Sequence, residues 1–248
     1  MKPFKFLATC IVAGCMPFFI SSCNSGTEKK AEEATSAVDT AMPVVEPAVQ
    51  AAVATPVKPP NVEVIKHKVA NYAKWKAAYD AHDSVRLAYG LHNYVVSRGL
   101  DDSNMVMVAL HMDDVAKAKA FAGLPDLKET MKKGGVLGVP SISYIDVQML
   151  DTSVNAQTRV RVTHKVKDWD AWKKSFDSHK QARMDAGLID RSVGYEIGDN
   201  HLVSIVFAVS DMKKAKDFMN SKDLKDKMAE AGVVDPPSFF YYNVVQKY

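Results

Sequence analysis

Residues 164–177 read HKVKDWDAWKKSFD, and residues 67–80, an offset of 97 earlier, read HKVANYAKWKAAYD. The two stretches share their opening His-Lys-Val, a central Trp-Lys and a closing Asp without a gap. The same offset carries His82 to His179, Arg86 to Arg183, Gly90-Leu91 to Gly187-Leu188 and Asp102 to Asp199. It continues through Phe121 to Phe218, Asp126-Leu127-Lys128 to Asp223-Leu224-Lys225, Met131 to Met228, Gly135-Val136 to Gly232-Val233, Pro140 to Pro237 and Tyr144 to Tyr241. About thirty identities over some ninety positions mark a duplicated unit. Residues 61–150 and 159–248 are therefore read as two copies of one fold, joined by a polar linker at 151–158.

Each copy yields the same elements. Arg159 to Val166 alternates polar and apolar, the pattern of a half-buried strand. Asn71 and Asp168 stand where a helix N-cap belongs, and the helix is expected to run to Tyr89 and Ala186, where Gly90 and Gly187 stop it. Two strands follow in the first copy, near 93–99 and 104–111, with Asp101-Asp102-Ser103 as their turn. A single helical region over 114–133 and a last strand after Pro140 complete the unit. Strand, helix, strand, strand, helix, strand is the ferredoxin-like order, an α+β fold. Its four-stranded sheet carries both helices on one face and must cover the other. The second copy can do so, which predicts two sheets packed into an intramolecular pseudo-dimeric barrel with the helices outside, and hence a monomer.

Three stretches carry a family resemblance: His164 to Asp177, Asp101-Asp102-Ser103-Asn104, and Leu224 to Pro237 with its Leu-Lys-x-x-Met-x-x-x-Gly-Val pattern. They resemble the dimeric α+β barrel superfamily, specifically the small domains labelled antibiotic biosynthesis monooxygenase-like or "cyclase". The resemblance covers both repeats and implies the barrel fold. For activity it implies little, since such domains include cofactor-independent oxygenases, haem-degrading proteins and many without a known function. The Asn, Trp and His arrangement of the haem-degrading branch does not map onto this sequence.

Along the first helix Tyr72, Trp75, Tyr79, His82 and Arg86 are spaced three and four apart and fall on one stripe. Their counterparts are Trp169, Trp172, Phe176, His179 and Arg183. His67 shares strand parity with Ile65 and Val69, and His164 with Val160, Val162 and Val166, so both point toward the helices. Each copy thus gathers two histidines, an aromatic wall and an arginine. One reading is a ligand pocket, with titratable imidazoles and a guanidinium for an acidic group. The other is core: packed tryptophans, hydrogen-bonded histidines, and arginines paired with acids such as Asp83. Metal binding through His67, His82 and Asp80 is not expected, because Asp80 points away from His82 around the helix. His92, His111 and His201 lack counterparts and read as surface residues. Lys66, Lys68, Arg161 and Lys165 lie on the opposite strand face, either exposed at the sheet edge or lining a wet barrel interior that accepts an anion. No phosphate loop, HExxH, nucleophile elbow or Ser/His/Asp spacing occurs, and no cofactor is implied.

The 248 residues are 47% hydrophobic and 25% charged with a net charge of +3, which excludes collagen, wholesale disorder and a polytopic membrane protein. So small a charge gives no reason to expect a nucleic-acid partner. Lys2 and Lys5 precede an uncharged run from Phe6 to Ile20, too short to span a bilayer as a helix and interrupted by Pro17. It ends in Ile20-Ser21-Ser22-Cys23, which resembles the bacterial lipobox, so residues 1–22 are expected to be a signal peptide and Cys23 a lipidated anchor. Cys10 and Cys15 leave with the signal, and the folded part then has no thiol for a disulfide, a metal or nucleophilic catalysis. Without residues 1–22 the charge falls to +1, leaving the lipid to hold the protein at the membrane. Residues 23–60, rich in Ala, Val, Thr, Pro and Glu, read as a tether. The expected address is the cell envelope, at the outer membrane or its periplasmic face. Two functions fit: a non-catalytic module that binds a small hydrophobic or aromatic ligand or an envelope partner, and a cofactor-independent monooxygenase or isomerase acting on an aromatic substrate with a histidine as proton acceptor.

Overall fold

A computed structural model describes residues 58–248. The expected signal peptide, Cys23 and nearly all of the tether lie outside the described residues. The first repeat runs β1 (Val62–Val69), α1 (Tyr72–Ala81), α2 (Asp83–Ala88), β2 (Leu91–Gly99), β3 (Met105–Met112), α3 (Val115–Ala122), α4 (Pro125–Gly134) and β4 (Val136–Leu150). The second runs β5 (Thr158–Lys165), α5 (Trp169–Ser178), α6 (Lys180–Asp185), β6 (Leu188–Glu196), β7 (Asp199–Val209), α7 (Met212–Asn220), α8 (Lys222–Glu230) and β8 (Ser238–Lys247). The fold is α+β, and the bounds of α1, α2 and β2 recur in α5, α6 and β6 at the sequence offset of 97.

All eight strands pair antiparallel in one closed barrel, ordered β1-β3-β2-β8-β5-β7-β6-β4. Each repeat contributes four neighbouring strands in the ferredoxin-like order, β4-β1-β3-β2 and β8-β5-β7-β6. The seams are β2 with β8 and β4 with β6. The sequence predicts two sheets facing each other; the structure goes further and joins them edge to edge, which leaves no free strand edge among the described residues. Three apolar clusters result. Trp75, Leu91, Val108 and Phe121 lie under the helices of the first repeat, and Trp172, Leu188, Ile205 and Phe207 under those of the second. Val64, Val95, Met107, Val147 and Tyr242 fill the inside of the barrel.

The predicted caps are in place. Asn71 Oδ1 accepts from Lys74 N at 2.9 Å, and Asp168 Oδ1 from Ala171 N at 2.7 Å. Gly90 and Gly187 have φ of 69° and 74°, a left-handed turn that ends the helical run. A Cβ there would also meet the Asp113 side chain at Gly90 or the Asp211 backbone N at Gly187, each at 2.9 Å.

Three expectations about elements fail. The first helical run is two helices, because His82 and His179 take φ near −97° and ψ near 12–15° and interrupt it. The region over 114–133 is likewise two helices, since Pro125 starts α4 after an extended Leu124. The last strand of the first repeat begins at Val136 and passes through Pro140, where the missing N–H is tolerated near a register shift between β1 and β4.

Candidate functional site

In each repeat the outer face of the sheet and the helices above it enclose an apolar cleft. The cleft of the first repeat, about 80 Å³, takes Ile65 and His67 from β1, Trp75 and Tyr79 from α1, Phe121 from α3, and Leu127 and Met131 from α4. That of the second, about 100 Å³, takes Val162 and His164 from β5, Trp172 and Phe176 from α5, Phe218 and Met219 from α7, and Leu224 and Met228 from α8. His82, Arg86, His179 and Arg183 also border these clefts, so ten of the twelve residues singled out in the sequence converge on two equivalent places, while Tyr72 and Trp169 are not among the lining residues.

Their packing is a graded stack of rings. His67 and Trp75 are 5.6 Å apart and Trp75 and Tyr79 5.1 Å; in the second repeat His164 and Trp172 are 5.4 Å apart and Trp172 and Phe176 5.1 Å. Both tryptophans are buried. His67 and His164 are only 6% and 5% exposed, and neither nitrogen of either ring has a hydrogen-bond partner. Burial lowers both to a pKa of about 4, so at neutral pH each presents an uncharged ring with an open acceptor and an open donor. The core reading of these positions predicts hydrogen-bonded histidines, and the geometry differs on that point.

Arg86 and Arg183 are engaged within the fold. At the break after α1 the carbonyl of Tyr79 accepts a long bond of 3.3 Å from His82 N, and Arg86 Nη1 adds a shorter one at 2.7 Å. Arg183 Nη1 does the same for Phe176 O. Each guanidinium then lies over the ring of the residue whose carbonyl it caps, 3.8 Å from Tyr79 and 3.6 Å from Phe176. Arg183 adds a bidentate pair to Asp190, at 2.8 and 2.7 Å. Arg86 reaches Asp83 at 3.1 Å, with Asp83 also accepting from Asn93 and Asn93 from the Tyr79 hydroxyl. The arginines thus hold the helix break in shape.

The half-buried pair at the break differs between repeats. His179 Nδ1 lies 2.9 Å from Ser175 O, whereas His82 Nδ1 has no partner; desolvation and then Arg86 hold His82 below the ordinary histidine range. Asp80 is turned outward and bound to Lys76. Among the described residues, no group of three or more His, Cys, Asp or Glu is placed to hold a metal ion. His92 and His201 are exposed, but His111 is half-buried and stacks on Tyr94 at 4.3 Å, contrary to the surface assignment. His111 shares strand parity with Met107 and Ala109, which turns the ring to the barrel side of β3 beside the tyrosine.

Glu63 is a site residue that the sequence reading missed. It lines the first cleft, is fully buried, and neither carboxyl oxygen has a hydrogen-bond partner. Burial raises it to about 7. The signal was present: Glu63 shares strand parity with Ile65, His67 and Val69, and its counterpart in the second repeat is Val160. An acid at a core-facing position where the duplicate holds valine marks a place where the two copies diverged in chemistry.

No protein-family model matches the chain, and no curated protein matches it. Solved structures do. A presumed monooxygenase from Fusobacterium nucleatum subsp. nucleatum superposes with a TM-score of 0.50 at 13% identity, covering 75% of this chain and 93% of that one. An anthrone oxidase-like protein superposes with a TM-score of 0.51 at 12% identity, over 76% of this chain and 92% of its own. These likenesses show an α+β barrel fold.

Proposed function

We propose that this protein is a binding module whose two outer clefts each take a small single-ring aromatic ligand bearing one hydrogen-bonding group. The observation that carries the reading is the pair of buried imidazoles, His67 and His164, with no partner at either nitrogen beside a tryptophan in an apolar cleft. Burying polar groups unpaired costs about 1–3 kcal/mol, and a ligand hydroxyl or ring N–H removes that cost. Cavities near 80–100 Å³ suit one ring with slight opening, since an apolar cavity of about 150 Å³ holds benzene. A pKa near 4 and the lack of an orienting partner make these histidines poor general bases, which favours binding over catalysis at these two residues. The test is to titrate the full chain with phenol and with toluene, following tryptophan fluorescence. Phenol is expected to bind more tightly, and His164→Phe to erase the preference in the second cleft; equal binding of both probes by the unaltered protein overturns the reading.

Glu63 favours a second reading, proton abstraction from an aromatic substrate in the first cleft alone. A carboxyl near 7 with both oxygens open has the pKa a general base needs. Its test is exchange of solvent deuterium into an enolisable aryl ketone, expected to be lost in Glu63→Gln; undiminished exchange counts against it. We also propose that the module is anchored in the cell envelope by lipid on Cys23, as a monomer. Among the described residues no helix is long and apolar enough to cross a membrane. Cys23→Ser is expected to move the protein out of the membrane fraction, and unchanged membrane retention rejects the anchor.

A further inference from the structure

We infer that the inside of the barrel is a binding site for one small oxyanion, a carboxylate or phosphate group, held by Arg159, Arg161 and Arg191. The sequence places Arg159 and Arg161 on the face of β5 opposite Val160, Val162 and His164, and closure of the barrel turns that face inward. A bulge in β6, between Asp190 and Ser192, directs Arg191 to the same space. The three arginines share a cavity of about 60 Å³ with Tyr94, Ser204 and Tyr242. Arg159 is 3% exposed and Arg191 6%.

The cations have only neutral partners. Arg159 Nε donates to Ala156 O at 3.2 Å, Arg161 Nε to Ser204 Oγ at 3.1 Å, and Arg191 Nη2 to the Tyr94 hydroxyl at 2.8 Å. Arg191 Nε and Nη1 are buried with no partner. Among the described residues, no carboxylate lies within 4.0 Å of any of the three guanidiniums. The acids that act on them from a distance are otherwise engaged: Asp151 accepts from Ser153, and Glu196 from Tyr144 N. Lys66 adds further positive charge toward Arg161. A guanidinium does not shed its proton in a protein, so enclosure cannot be relieved by titration as it is for a lysine or histidine. Uncompensated buried charge is strongly unfavourable, and an anion taking charge-assisted, bidentate hydrogen bonds from the guanidiniums relieves it. A cavity of that volume holds a few waters or one such group.

The duplicate provides an internal comparison. At the offset of 97 the counterparts of Arg159, Arg161 and Arg191 are Val62, Val64 and Tyr94. All three cations come from the second repeat, and the first supplies the apolar wall opposite. A requirement of the barrel fold would appear in both copies; this set appears in one.

The test uses the full chain and follows chemical denaturation in sodium phosphate, in sodium acetate and in sodium chloride at matched ionic strength. Phosphate, acetate or both are expected to raise the midpoint saturably above that in chloride, and the arm that responds identifies the source as phosphate or carboxylate. In Arg191→Met and Arg159→Met the saturable shift is expected to vanish, with affinity down about tenfold or more, while stability in chloride is retained or improved. Lys74→Met, on the exposed face of α1, is expected to keep the full shift. Equal midpoints in all three salts for the unaltered protein overturn the proposal even if neither arginine variant folds. A shift that survives in both variants overturns it as well.

Discussion

Among the titratable side chains of the outer clefts, burial moves His67, His164 and Glu63 far and in two directions, and the signs make a testable profile. His67 and His164 fall from 6.5 to about 4, so between those pH values the unfolded chain binds more protons and stability rises with pH. Glu63 rises from 4.5 to about 7, so over that window the folded chain binds more protons and stability falls as pH rises. At about 1.4 kcal/mol per pKa unit, each shift corresponds to about 3 kcal/mol. Two histidines outweigh one glutamate below pH 6.5, and above it only the glutamate still titrates. The contribution of these groups therefore peaks near pH 6.5. In urea titrations across pH, Glu63→Gln is expected to flatten the decline between pH 6.5 and 8 and to be more stable than the unaltered protein at pH 8. A decline that persists unchanged assigns it elsewhere. Residue-level chemistry was partly legible in the sequence. Periodicity and parity found the histidines, tryptophans and arginines, but their partners depend on where a helix breaks. Glu63 was not legible from the duplication, which makes only shared positions stand out, because its counterpart is Val160.

At the level of elements, the break between α1 and α2 explains why an arginine is kept in both copies. A helix interrupted at His82 or His179 leaves the carbonyls of Tyr79 and Phe176 with long backbone bonds of 3.3 and 3.2 Å, and Arg86 and Arg183 reach back to add a second donor while stacking on the ring below. Spacing of three and four residues could not reveal this, because a helix that pauses for one residue and resumes keeps nearly the same apolar stripe. Neither His82 nor His179 is a helix breaker by propensity; tertiary packing imposes the break. The caps, the glycine stops and the turn at Asp101-Asp102-Ser103 were legible because each rests on a local hydrogen bond, as in Asp102 Oδ1 accepting from Asn104 N at 2.9 Å. The two arginines differ in their acid. Asp190 has a side chain only 10% exposed and takes two bonds from its arginine, whereas Asp83 is 43% exposed, takes one from its arginine and keeps Asn93 as a second donor. Removing Arg183 strands a buried carboxylate. Arg183→Met is therefore expected to cost about 3–5 kcal/mol, and Arg86→Met about 1–3 kcal/mol. Denaturation midpoints measured side by side check the order, and an equal or reversed cost contradicts the division of labour drawn for these pairs.

For the whole molecule, the duplication supplies closure first and difference second. The offset of 97 and the bare face of a four-stranded sheet made the barrel legible, while the strand pairs that seal it were not, since seams depend on register between repeats. Closure allows the copies to diverge without losing the fold. Glu63 stands in the first outer cleft against Val160, and Arg159, Arg161 and Arg191 stand inside the barrel against Val62, Val64 and Tyr94. A single chain can keep such differences in fixed relation, which two identical subunits cannot. The same closure makes each half dependent on the other. Cut between Leu150 and Thr158, the first half exposes the outer edges of β2 and β4 together with Val64, Val95, Met107 and Val147, and the second exposes β6 and β8 with three arginines that face no wall. Open edges beside an apolar face recruit another chain. Expressed separately, the first half is expected to dimerise or aggregate. The second is expected to do so less readily, because its own copies would bring six guanidiniums into one barrel. Mixed, the halves are expected to form a one-to-one complex in preference to either homodimer. Sedimentation of each half and of the mixture measures all three outcomes, and a stably folded monomeric half would show that the seams are not what holds the fold together.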